Sequence, residues 1–216
     1  MAASSRRVLA KILVPVLLVS AFAFAFWRSV HSSRSEPYKL SPEAQRPWRL
    51  TIEQATRPND PVLVLEPPSA LARELFDQVF KRSMESMQAP EFTGIPLVLA
   101  GELGRAGAER LSPDALLAMA RAAGLEASPP APRCIANRRL PEPEEHSQAY
   151  FAIFDSPAFD AFRGNLAARL GPGYAAAAMT PAMFVGLVRS NAQRFLPLQA
   201  DATKDCVAPI ALASGS

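Results

Sequence analysis

The longest apolar stretch comes first. From Ile12 to Trp27 no side chain carries a charge, and adding Val8, Leu9, Ala10 and a snorkelling Lys11 brings the stretch to about 20 residues. At about 1.5 Å per residue this is a helix of roughly 30 Å, the thickness of one hydrocarbon core. Residues 8–27 therefore predict a transmembrane anchor, with Lys11 at one interface, Trp27 and Arg28 at the other, and residues 1–7 as a short cytoplasmic tail. A cleaved signal peptide is the competing reading, because Ala21-Phe22-Ala23 and Ala23-Phe24-Ala25 both fit a small-x-small cleavage pattern. The bulky Phe residues and the long apolar run favour retention.

Beyond the anchor the pattern changes to short amphipathic segments. Residues 28–47 are polar, rich in Ser and mixed charge, and read as a stalk. Alternation in Trp48-Arg49-Leu50-Thr51-Ile52 predicts a strand, Arg57-Pro58-Asn59-Asp60-Pro61 a turn, and Val62 to Leu65 a buried strand. After Pro67-Pro68, a helix capped by Ser69 is expected to run to about Met87, with Leu71, Leu75, Phe76, Val79 and Phe80 on one face. A strand is expected from Ile95 to Ala100. Ser112, Pro113, Asp114 and Gly124 carry the start and stop signals of a second helix. Ser128-Pro129-Pro130-Ala131-Pro132 reads as a stiff connector spanning residues 128–132.

The second half repeats the order. Strands are expected from Arg133 to Leu140 and from Ala149 to Phe154, followed by a helix capped by Asp155 or Ser156 and ending at Gly171. Phe159, Phe162, Leu166 and Leu170 share its face. A strand from Met183 to Val188, a short helical or irregular stretch through Phe195, and a last strand from Cys206 to about Leu212 complete the chain. The predicted class is α+β, helices packed on mainly antiparallel sheet, with residues 48–127 and 133–216 as two halves that each read strand, strand, helix, strand, helix. Residue identity between them is poor.

Charge bears on partners only through its position. The chain has 23 basic and 20 acidic side chains, and removing Arg6, Arg7 and Lys11 leaves a balance of 20 to 20. No later stretch interleaves Lys and Arg with aromatics, so nucleic acid is not an expected partner. Ser5-Arg6-Arg7-Val8-Leu9-Ala10-Lys11 resembles a twin-arginine export signal, but Leu9 replaces the usual Phe, Ala10 is a weak apolar match and the apolar run is stronger than such signals prefer, so ordinary positive charge on the cytoplasmic side is the favoured reading. The charges flanking the anchor nearly balance, so the compartment must be read from the cysteines.

Cys134 and Cys206 are the only two cysteines, both placed near the start of expected strands. A disulfide between them would close a loop of about 70 residues, worth about 4 kcal/mol in the chain-entropy model, and would persist only outside the reducing cytosol. Two buried free thiols are the alternative. Neither lies in a Cys-x-x-Cys unit, which argues against thiol redox chemistry.

Catalytic patterns are sparse. The two histidines are His31 in the stalk and His146 beside Glu142, Glu144 and Glu145 in an acidic loop, a grouping with no recognised metal-ligand spacing. No Gly-x-Ser-x-Gly is present, and Gly101, Gly104 and Gly107 lack both the Walker lysine and the dinucleotide spacing, so they read as a bend after a strand. Asp155, Asp160 and Glu102 are the carboxylates best placed for acid and base work. Phe151, Phe154, Phe159, Phe162 and Phe184 read as core, or as the lining of an apolar pocket. No cofactor and no metal are expected. The leading reading is a single-pass inner-membrane protein with a periplasmic domain that binds a protein partner or small ligand. The alternative is a tethered hydrolase using carboxylates or His146, which a surface pocket converging on His146 or Asp155 with two or more other polar side chains would favour and a shallow surface without one would disfavour.

Overall fold

The structure, a computed structural model, describes residues 16–26, 36–90, 92–105, 111–139, 147–171, 174, 178–189 and 199–213. Two units are distinguished, Met1–Glu36 and Pro37–Ser216. In the first, residues 16–26 form helix α1, whose Val16, Leu17, Leu18, Val19, Phe22, Phe24 and Phe26 side chains are exposed. No helix among the described residues is long and apolar enough to cross a membrane. Lys11, Trp27, Arg28 and the start of the expected anchor lie outside the described residues.

The second unit has mixed α+β architecture. Its elements are β1 (Tyr38–Leu40), a 3-10 turn (Pro42–Gln45), β2 (Arg49–Ile52), β3 (Pro61–Glu66), α2 (Ser69–Ser83), β4 (Met87–Gln88), β5 (Ile95–Leu99), α3 (Ala100–Arg105) and α4 (Pro113–Ala122). They continue with β6 (Ala131–Arg139), β7 (Gln148–Asp155), α5 (Pro157–Leu170), β8 (Ala182–Val188), α6 (Ala202–Asp205) and β9 (Cys206–Leu212). One sheet has the order β1-β9-β6-β7-β8-β4 and the other β2-β3-β5. Every neighbouring pair is antiparallel except β1 beside β9. The runs β2-β3-α2-β5 and β6-β7-α5-β8 share a hairpin, a helix and a third strand antiparallel to the second, with the two-residue β4 inserted between α2 and β5 in the first run alone.

Period-two patterning explains how the large sheet buries both faces. Ile135, Ala152, Phe154, Met183 and Val185 enter the main core, while Cys134, Ala136, Phe151, Ile153 and Phe184 form a second cluster. Along β8 the phase switches, with Val188 in the main core and Leu187 in the second cluster. The cause is a register irregularity opposite Tyr150 and Phe151, where Gly186 pairs with Tyr150 and Phe184 with Phe151. A Cβ on Gly186 would collide with the Met87 thioether, so any larger residue there requires Met87 to turn aside from β4's contact with this edge.

Helix signals hold where they are local. Ser112 Oγ accepts from Ala115 N and Ser156 Oγ from Phe159 N, so Ser156, not Asp155, caps α5. Other expectations are corrected. Ser69 is the first residue of α2 and Pro68 precedes it as the cap; α2 ends at Ser83, with Met84 in the left-handed region at φ 55°. Phe80 is 46 % exposed rather than core. The stalk expected through Pro47 contains a strand and a turn of the folded body, because Tyr38, Leu40 and Ala44 are buried there. Residues 131–132 of the expected connector already belong to β6. The expected bend after β5 is helix α3, and Gly101 serves close approach: its N–H bonds Pro58 O at 2.6 Å, and a Cβ would sit 2.9 Å from that oxygen.

Cys134 and Cys206 form a disulfide, with Cα atoms 5.8 Å apart and a sequence separation of 72. It ties β9 to β6, and β9 in turn carries β1. The outer edge of β1 is closed by Gln78 of α2, whose amide accepts from Lys39 N and donates to Lys39 O at 2.9 and 2.7 Å. A side chain thus stands in for a neighbouring strand.

Two outcomes are expected in denaturant unfolding. Reduction of the disulfide should lower stability by about 2–5 kcal/mol. Gly186→Ala should cost about 1–3 kcal/mol, because Met87 must be displaced; an unchanged midpoint would contradict the close packing of β4 on β8.

Candidate functional site

Three features stand out from the packed body. The first is a groove of about 550 Å³. After Pro67-Pro68, α2 presents Ala72, Arg73 and Phe76 to it; β8 contributes Phe184 and Val185; and the segment after β4 contributes Ala89, Pro90, Phe92 and Thr93. The opening follows from the sequence. Pro90 has no N–H for a ladder, and β4 pairs with β8 only through Met87 and Gln88, so the chain leaves the sheet edge just beyond. The lining is largely aromatic and aliphatic, as in small-molecule sites. Phe76 stacks on Phe80 at 6.0 Å and carries apolar surface out of the groove toward Met84, which is 91 % exposed.

The second feature is a polar cleft made of two adjoining depressions of about 540 and 480 Å³ that share Thr180, Ala200 and Asp201. Asp155 and Asp160 line it together with Arg133, Ser156 and Thr203. Most of its polar side chains already have internal partners. Arg133 pairs with Asp155 at 3.3 Å, Lys204 with Asp201 at 3.1 Å, and Arg138 with Asp205. Asp201 also caps α6 by accepting from Thr203 Oγ1 and N. These bonds from Thr203, with Lys204 beside them, hold the Asp201 carboxyl down at about 2.

The third is a buried ion pair. Glu102 of α3 accepts from Arg163 of α5 at 2.5 and 3.0 Å, from Tyr174 Oη at 3.0 Å and from Leu99 N at 2.9 Å. Arg163 also donates to Leu97 O. The side chains are 4 % and 11 % exposed. Burial pushes the Tyr174 phenol well up, and the neighbouring Glu102 carboxylate adds to the shift, while Arg163 opposes it.

Sequence-derived candidates are thus distributed as follows. Cys134 and Cys206 are joined, Asp155 and Asp160 meet in the cleft, and Glu102 is instead consumed by Arg163 and Tyr174. His31, His146, Glu142, Glu144 and Glu145 lie outside the described residues. Among the described residues no group of three or more His, Cys, Asp and Glu side chains is placed to hold a metal ion. Of the five Phe residues singled out from sequence, Phe184 lines the groove, and the other four are fully buried. Arg73, Phe92, Arg163 and Tyr174 were not legible as site residues. The Pro67-Pro68 break and Pro90 were the available signals for the groove. No family model matches the chain, and no curated protein or solved structure matches it.

Arg163→Met alone should cost about 3–5 kcal/mol by leaving Glu102 buried without its partner, whereas Glu102→Leu with Arg163→Met should cost less; urea unfolding of both variants checks this. A second expectation concerns alkali. All three tyrosines, Tyr38, Tyr150 and Tyr174, have their phenols raised above the usual 10.0, chiefly by burial. The folded state therefore holds these protons more tightly than the unfolded chain, so their contribution to stability is complete below pH 10 and declines as pH rises above it. Ultraviolet titration of the folded protein should show tyrosinate appearing above pH 10, and at pH 10 once the chain is unfolded.

Proposed function

We propose that this chain is a single-pass inner-membrane protein whose body, residues 37–216, lies on the extracytoplasmic side and works as a non-catalytic binding or assembly module. The apolar groove between α2 and β8 is the observation that carries the binding role. Residues 8–27 are the bilayer anchor, with Lys11, Trp27 and Arg28 at its interfaces; the uncharged run from Ile12 to Trp27 supports this. The disulfide supports a periplasmic location, because such a bridge persists outside reducing compartments. The shared connectivity of β2-β3-α2-β5 and β6-β7-α5-β8 supports a duplicated unit as the origin of the body.

One observation favours a second reading, a tethered hydrolase. Asp155 and Asp160 converge on one cleft with Ser156 and Thr180. Against it, Ser156 Oγ is engaged as a helix cap and Asp155 is held by Arg133.

Two measurements test the proposal. The full chain should stay in the membrane pellet after alkaline carbonate extraction and lose that association when residues 8–27 are deleted; a mature N-terminus near Phe26 would contradict the anchor. A photo-crosslinking residue at Thr93 in the groove should capture a partner or ligand in native membranes, and one at Asp160 in the cleft should not. Capture only from Asp160, with hydrolytic activity lost in Asp155→Asn, would replace the binding reading with the hydrolase.

A further inference from the structure

The chemistry of the groove narrows its ligand. Its walls offer Phe76, Phe92, Phe184 and Val185, and its volume of about 550 Å³ falls within the roughly 300–1,000 Å³ typical of small-molecule sites. Among the described residues two charged side chains stand at it, Glu66 and Arg73. They are not equivalent. Glu66 lies directly across the β2–β3 ladder from Arg49, its cross-strand neighbour of opposite charge. Arg73 is exposed and has no ion-pair partner among the described residues; the acids nearest it on α2 are Glu74, which binds Ser41, and Asp77 one turn on. The groove therefore combines an apolar trough with a guanidinium at its wall. Beyond it, the stacked Phe76 and Phe80 extend the apolar surface along α2.

Resting on the binding reading above, we propose that the groove takes a long-chain carboxylate, with its tail along Phe76, Phe92, Phe184 and Val185 and its carboxylate on the Arg73 guanidinium. Each two-carbon lengthening of the tail fully buried within the groove then raises affinity by roughly fifteenfold, as burial of methylenes requires. Neutral tails of the same length bind more weakly, because they leave Arg73 unanswered.

The test uses the full chain in amphipol, which avoids a competing detergent or bilayer, and an 11-(dansylamino)undecanoate probe read by fluorescence, with its methyl ester as the neutral counterpart. Saturable one-to-one binding, displaced by palmitate, is expected. Arg73→Ala should weaken the acid about tenfold and leave the ester unchanged. Ala72→Trp, checked for folding by circular dichroism and an intact disulfide, should block both. Absence of saturable binding overturns the proposal, as does equal weakening of acid and ester by Arg73→Ala, a readout on an exposed side chain that does not depend on how the tryptophan variant folds. Lack of acid binding alongside a protein adduct at Thr93 would reject the ligand class and leave the binding module standing; absence of both would reject the two together.

Discussion

Each of the two sheets has an apolar face that it cannot cover alone. Leu63, Leu65, Ile95 and Leu97 of the small sheet and Ile135, Phe154, Met183 and Val185 of the large one are buried in a single core. Helices cross between them: α2 follows a strand of the small sheet yet packs on β8 and β1 of the large one, while α4 lies on β2 and β3 and against α5. Trp48, just before β2, meets Phe154 of β7 edge to face at 5.5 Å. This mutual burial is the constraint from which the other features follow. The Glu102–Arg163 pair lies where α3 meets α5, and the groove opens where α2 reaches the edge of β8.

The edges of the large sheet are managed by particular side chains rather than by longer strands. At one end Gln78 pairs with both backbone groups of Lys39 and Glu74 binds Ser41, while Arg82 bonds Pro37 O and lies over the Tyr38 ring at 4.1 Å. At the other end Met87 presses on Gly186. Between them the disulfide holds β9, without which β1 has no strand neighbour. The sheet is thus closed at one edge by α2 and left partly open at the other, and the open side is where apolar surface remains available.

Local signals made much of this legible. Pro-initiated α4 and α5 follow from Ser112-Pro113 and Ser156-Pro157, because a cap and a fixed φ act within a few residues. β9 begins at Cys206 as the pattern indicated, and the cysteine pair is bridged. Elements whose stability comes from distant partners were hidden. β1 has three residues and owes its place to Ile210 through Leu212, so Tyr38 and Leu40 look like stalk in isolation. α3 starts with Ala100-Gly101-Glu102, a poor helix sequence, and is held by the turn at Pro58 and Asp60 and by Arg163. The groove was illegible for the same reason. Phe76 is spaced as a core residue in its own helix, and only the meeting of α2 with the β8 edge leaves it at a groove wall beside the buried Phe184.

A shared core requires the two sheets to lose structure together. Hydrogen exchange with mass spectrometry across a urea series reads this directly, by comparing peptides from β3 and β7 in the intact, disulfide-bonded chain. Loss of protection at one common urea concentration is the expected result. Earlier loss in β2, β3 and β5, with β6, β7 and β8 still protected, would contradict it and leave the two sheets as separate folding units.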